Sequence, residues 1–189
     1  VGSEMCIRDS VDRTHPDGAE RRENLRKLQE IANQGLARLA DFQQGDGGWG
    51  WWKTSSSDRF MTAYVVWGLA LAAEADIDVA PDMLDGGIRY LGNEIVEAEQ
   101  RPNLRAWMLH ALTAACAVRD AELPQSGRVA LDELWKARRD VSAYGRALLA
   151  LSAHRLGEAA KTEVLARNLV DGAHVCLLYT SPSPRDRSL

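Results

Sequence analysis

Three cysteines and four histidines are the most reactive side chains in this 189-residue sequence. A thiolate can serve as nucleophile or metal ligand, and an imidazole as base or ligand. Cys116 lies inside an apolar run from Trp107 to Val118, where a buried, inert thiol is expected. His110 shares that run and reads as a satisfied core or pore-facing histidine. His15 falls in a polar segment, and His154 sits near a helix end, where a charged form favours the helix dipole. No two histidines have metal-ligand spacing with a second ligand in register, so no metal site and no cofactor are expected. Asp46 could act as a general acid, but in a glycine turn it is expected to bond its own backbone. Asp82 and Asp85 form a first-turn acidic pair that the helix dipole explains. No Ser-His-Asp set can be argued from spacing, and no glycine-rich phosphate loop precedes a Lys-Ser/Thr pair. Catalytic residues are therefore expected to be absent, and the chain is not read as an enzyme.

The densest concentration of unusual residues is Gln43-Gln44-Gly45-Asp46-Gly47-Gly48-Trp49-Gly50-Trp51-Trp52. Four glycines exclude a helix or strand interior, and three indoles in a loop need apolar partners. One reading is a glycine-shaped turn that folds its tryptophans back over the ends of two helices. The other is an aromatic surface for a sugar or similar ligand, to which Trp51 and Trp52 would contribute.

The chain ends carry a different kind of signal. Val1 to Ser10 can be encoded by DNA whose reverse complement, in another frame, translates as Cys176 to Pro184. Such an inverted repeat at both ends resembles a transposase-library adapter read through as protein. Residues 1–10 and 176–189 are accordingly expected to be adapter-derived. Cys6 and Cys176 then drop out, leaving Cys116, and the credible domain is 11–175. The net charge of −4, without basic clusters, argues against nucleic acid as a partner. No uninterrupted apolar run is long enough to cross a bilayer.

The elements that must position the loop are helices. Leu25, Leu28, Ile31, Ala32, Leu36, Leu39 and Phe42 recur every three or four positions, predicting an amphipathic helix over 19–42 with one buried stripe. Phe60, Met61, Tyr64, Val65, Val66, Trp67, Leu69 and Leu71 cover most of the next helix, 58–75, which predicts burial on several sides. Asp58 or Ser57 is a suitable N-cap. The alternation continues with an amphipathic helix over 82–99, where Gly87 marks a close contact, and an apolar one over 103–118. A turn at 123–127 leads to an amphipathic helix over 128–138. An apolar helix capped by Asp140 or Ser142 follows and ends at Gly157, and an amphipathic one covers 158–171. Thr62-Ala63-Tyr64, Arg105-Ala106-Trp107 and Ser142-Ala143-Tyr144 each place a small residue before an aromatic. Leu69, Leu112 and Leu149 follow at a common offset, at spacings of 43 and 37 residues, in the range of helical-pair repeats. The expected fold is all-α: about three helical hairpins of an α/α toroid, with amphipathic outer helices alternating with apolar inner ones.

Gln43-x-x-x-Gly47-x-Trp49 at an outer-to-inner junction resembles the glutamine-tryptophan motif of α/α toroids. These include terpenoid cyclases, protein prenyltransferases and the thioester domains of complement and α2-macroglobulin proteins. The run DFQQGDGGWGWWKTSSSDRFMTAYVVWGLALA looks more specifically like the thioester domain of bacterial α2-macroglobulin-like proteins. RPNLRAWMLHALTAA and SAYGRALLALSAHRLGEAA fit its later inner helices. The resemblance covers most of 25–169. It implies a fragment of a periplasmic or secreted endopeptidase inhibitor, a trap for peptidases flanked by macroglobulin domains. It gives Gln43, Gly47 and Trp49 a structural role. The family's thioester joins Cys and Gln in a Cys-x-Glu-Gln motif upstream of this point. No such motif occurs here, and Cys116 does not match it. His110, on an inner helix, is the nearest candidate for a thioester-tuning histidine, though no motif fixes it. Two other readings stay open: a helical-repeat scaffold that binds protein on its concave face, and a piece of a cyclase or prenyltransferase enzyme.

Overall fold

A computed structural model describes residues 18–179, with the backbone alone for 19, 21 and 173–179. The described residues form seven helices and no strand: α1 Gly18–Phe42, α2 Arg59–Glu74, α3 Pro81–Glu97, α4 Pro102–Val118, α5 Gln125–Lys136, α6 Ala143–Arg155 and α7 Ala159–Tyr179. The all-α expectation holds. The last helix runs past its expected end at Asp171 to Tyr179. Residues 1–10 and 180–189 of the proposed adapter-derived ends lie outside the described residues. Two units divide at Tyr90/Leu91, within α3.

In the first unit, Asp58 caps α2 by accepting a hydrogen bond from the Met61 amide at 2.9 Å, as its type and place predict. The buried residues of α2 are Thr62, Ala63, Val66, Leu69 and Ala70, a 3-4 spacing that defines one face. Phe60 and Tyr64 are exposed, so burial on several sides is not found. Apolar residues around a helix show that it can be covered, not that it is. The stripe of α1 differs from expectation in the same way. Leu25, Ala32, Leu36, Leu39 and Phe42 are half-buried, while Leu28 and Ile31 are exposed. The C-terminal end of α1 is tied to the loop through the backbone carbonyls of Leu39 and Phe42 and through the Asp41–Lys53 ion pair at 2.6 Å.

In the second unit, α4 is the innermost helix, buried continuously from Arg105 to Cys116. It packs against α5 and α6, and α6 packs against α7. α5 buries Gly127, Ala130, Leu131 and Leu134 on one face. Gly127, expected in a turn, lies inside α5: a Cβ there would stand 3.0 Å from Leu123 and 3.2 Å from Leu112. Ser126 donates to the Gly92 carbonyl at 2.6 Å. Ser142 caps α6 through the Gly145 amide, and Asn103 Oδ1 accepts from the Ser142 amide and hydroxyl at 2.9 and 2.8 Å.

The three apolar helices share a C-terminal device. α2, α4 and α6 are each followed by a left-handed residue, Asp76 (φ 61°), Asp120 (φ 49°) and Gly157 (φ 74°). In each, the next amide reaches back to a carbonyl five residues earlier: Ile77 to Ala72, Ala121 to Cys116 and Glu158 to Ala153. This is the Schellman closure, and aspartate tolerates its left-handed position better than most residues. The caps also revise the repeat register. Thr62 and Arg105 stand four residues after caps Asp58 and Arg101, whereas Ser142 is itself the cap. The third copy of the small-aromatic motif is thus one helical turn out of step with the other two.

Candidate functional site

The loop between α1 and α2 is a hydrogen-bonded clasp. Gln43 Nε2 donates to the carbonyls of Gly47 and Met83, each at 3.0 Å, tying the loop to the first turn of α3. Gln44 closes the turn through its backbone, which bonds Gly48 and Gly47 at 2.9 Å. Its side chain donates to the carbonyls of Phe42 and Lys53 at 3.0 and 2.8 Å. Asp46 Oδ1 accepts from the Gly48 amide at 2.9 Å and the Ser57 hydroxyl at 2.7 Å. Asp46 therefore bonds its own backbone as expected, and its second partner is a hydroxyl the sequence did not indicate.

Trp49 is buried in the clasp, 2% exposed. Its indole N–H donates to the Leu39 carbonyl at 2.8 Å, ending α1. Its backbone amide donates to the Thr62 hydroxyl at 2.8 Å, and that hydroxyl donates back to the Trp49 carbonyl at 3.1 Å. Thr62 was visible in the sequence only as a small residue. Gly47 has φ +93° and lies against the backbone of Gly86. Gly87 has no room for a Cβ beside Val66 and Trp49, the close contact expected of it; its neighbour Gly86 was missed. Gln43, Gly47 and Trp49 are thus brought together as one structural unit.

Trp51 and Trp52 are not part of it. They are 62% and 75% exposed, so the expectation that the tryptophans fold back holds for Trp49 alone. The physical cause is a second turn. The Ser55 amide and hydroxyl both donate to the Trp52 carbonyl at 3.0 and 2.8 Å, and the Trp52 amide donates to the Ser55 hydroxyl at 3.1 Å. The backbone at Gly50 passes directly against Ser55 and Ser56.

His110 and Cys116 lie in the second unit, on α4. His110 is buried and stacked on Trp107, with ring centroids 6.0 Å apart at 23°. Its Nδ1 is 3.1 Å from Arg155 Nη1. Burial, helped by the Arg155 charge, pushes its pKa down to about 4. The neutral ring accepts the guanidinium hydrogen bond, which gives His110 a satisfied core role; Arg155 is the partner the sequence did not reveal. An unfolded chain protonates this ring near pH 6.5 and the folded one only near 4. Its stabilisation is therefore complete above pH 6.5 and lost as pH falls towards 4, by at most about 3 kcal/mol. Urea midpoints between pH 7 and 4 should show this loss in the parent and a smaller one in His110→Gln.

Burial pushes the Cys116 thiol up to about 11, and its Sγ faces the Glu122 carbonyl at 3.9 Å. A thiol held protonated is a poor nucleophile. In a Cys6→Ser, Cys176→Ser background, Cys116 should react with Ellman's reagent at least ~100-fold more slowly in native protein than in urea. Equal rates would show that the thiol is open to solvent. Among the described residues no group of His, Cys, Asp and Glu is placed to hold a metal ion. No helix there is long and apolar enough to cross a membrane.

No family model matches the chain. Over 88 residues, 46% of this chain, it is 40% identical to an alpha-2-macroglobulin of Thermotoga maritima, of whose length it spans 6%. Its fold matches native alpha-2-macroglobulin from Escherichia coli spanning domain MG7 to the C-terminus, with a TM-score of 0.58 and 24% identity. That match covers 77% of this chain and 24% of the other. The trypsin-activated form of the E. coli protein matches with a TM-score of 0.52 and 26% identity, over 72% of this chain and 10% of that one. The chain is homologous to bacterial alpha-2-macroglobulin and shares the all-helical fold of the matching part of the E. coli protein.

Proposed function

We propose that this chain is part of the helical thioester-type domain of an alpha-2-macroglobulin-like protease trap, downstream of the thioester itself and without catalytic residues of its own. The observation that carries the reading is the 40% identity over 88 residues to the Thermotoga maritima protein. The side chains support it: Gln43, Gly47 and Trp49 are engaged in holding helices together, and the buried, protonated Cys116 is unsuited to forming a thioester. Peptidases are the partners this reading implies, and the E. coli relative is itself found in a trypsin-activated form. Macroglobulin domains of the intact protein would flank the helical region, in the periplasm or outside the cell. No cofactor is required.

The test is the complete gene and its product. The reading frame should encode Cys-x-Glu-Gln, or a degenerate form of it, shortly before the first helix, and β-rich macroglobulin domains on either side. If the thioester is intact, trypsin treatment of the full protein should give a covalent peptidase adduct of high mass that methylamine abolishes. A complete gene without macroglobulin domains would sink the proposal.

A further inference from the structure

A cluster of three arginines in the second unit plays no part in the clasp or in the surroundings of His110. Arg138, Arg139 and Arg146, with Val164 and Asn168, line a cavity of about 380 Å³. Arg138 and Arg139 come from the segment after α5, Arg146 from the first turns of α6, and Val164 and Asn168 from α7. Three elements therefore deliver cations and an amide to one place.

One of the arginines is held in position, and another has an unmet donor. Arg138 donates from Nη1 to the Trp135 carbonyl at 2.8 Å, with its guanidinium carbon 4.3 Å from the centre of the Trp135 ring. That stacking fixes the plane of the guanidinium and leaves its other N–H groups for a ligand. Arg146 has a buried Nε without a hydrogen-bond partner.

No carboxylate among the described residues pairs with any of the three arginines. Asp140, adjacent in sequence, does not line the cavity. Glu163, beside Val164, is taken by Arg167 at 2.7 Å. Gathering three like charges with a desolvated N–H is unfavourable unless a counter-charge enters. Two other partly buried cations of this unit have one: Arg105 pairs with Glu133 at 2.6 Å and Lys161 with Asp132 at 2.9 Å. The chain as a whole carries a charge of −4, so this cationic cavity is a local feature and not part of a general basic surface.

We propose that the cavity is a binding site for a multivalent oxyanion, whose carboxylate or phosphate oxygens are gripped by Arg139 and Arg146. Arg138 supplies a third charge fixed on Trp135, and Asn168 a neutral donor. Planar guanidinium forks match such oxygens two at a time. Val164 gives one wall an apolar surface suited to the methylenes of a polycarboxylate or of glutamate side chains.

Calorimetric titration of the 189-residue chain at low ionic strength tests this with three probes: citrate, pyrophosphate and a tetraglutamate peptide. Binding of at least one probe with a Kd below about 1 mM is expected. Arg139→Gln and Arg146→Gln should each weaken it about tenfold. Arg146→Lys, which keeps the charge and loses the fork, should fall between them and the parent. Arg139 is exposed, so its variant should keep the parent's urea midpoint and separate lost binding from lost folding. Strongest binding by the peptide supports a site for an acidic protein segment, and strongest binding by citrate or pyrophosphate a site for a small free anion. Binding of no probe overturns the proposal. So does an equal loss in Arg38→Gln, on the exposed surface of α1, since that would show only diffuse attraction.

Discussion

Gly47→Ala is expected to unfold the first unit at a much lower urea concentration than the parent, with a loss of about 4 kcal/mol or more. Two costs combine. The residue holds φ +93°, where an L side chain is strained by about 1 kcal/mol or more. Its Cβ would also overlap the Gly86 backbone, 2.7 Å from the carbonyl carbon, 2.9 Å from Cα and closer still to the oxygen. Backbone at the start of a helix cannot swing aside as a flexible side chain can, so the loop must lift from α3. Gln43 then loses its bonds to Gly47 and Met83. Gly45→Ala is the control. It lies two residues away with nothing within 4 Å of its Cβ position, and its stability should change by no more than ~0.5 kcal/mol. Equal urea midpoints for the two variants would show that the clasp does not hold the unit together.

The second large effect is expected from Trp49→Ala, at about 3–5 kcal/mol. The fully buried indole fills the space beside Gly87 and Val66 and satisfies the Leu39 carbonyl at the end of α1. Removing it leaves both a cavity and an unpaired carbonyl. Trp49→Phe refills much of the volume without the N–H, and should cost about 1–2 kcal/mol. Fluorescence distinguishes the three indoles of the loop. Trp49→Ala should lower the short-wavelength emission to what buried Trp107 still supplies. Trp51→Ala and Trp52→Ala should remove long-wavelength emission and change stability by less than ~0.5 kcal/mol. If Trp51→Ala destabilised as much as Trp49→Ala, the assignment of Trp49 as the inner indole would fail.

These contrasts show where the sequence was legible. Glycine content marked the loop. Asp58 and Ser142 were readable as caps, because a short polar side chain before an apolar run has few other uses. Gly157 was readable as a helix end, whereas Asp76 and Asp120 in the same role were not, since aspartate has many roles in a loop. His110 read as a satisfied core residue, but Arg155, 45 positions later, gave no local sign of being its partner. Trp51 and Trp52 read like Trp49 because type and neighbourhood are alike; the serine turn at Ser55 separates them. The arginine cavity had no signature, since its lining comes from three elements and each arginine alone resembles a solvated surface charge.

The sequence by itself determined the helices, the caps of two of them, the helix end at Gly157, the glycine-tryptophan turn and the likeness to alpha-2-macroglobulin. Each of these follows from local spacing, from backbone freedom, or from a motif contained in one stretch. Only the tertiary structure decided which apolar faces are covered, which of three adjacent indoles is inside, which residue neutralises or desolvates which, and where cations collect. Those outcomes depend on what is packed over a residue, and the covering atoms come from elsewhere in the chain.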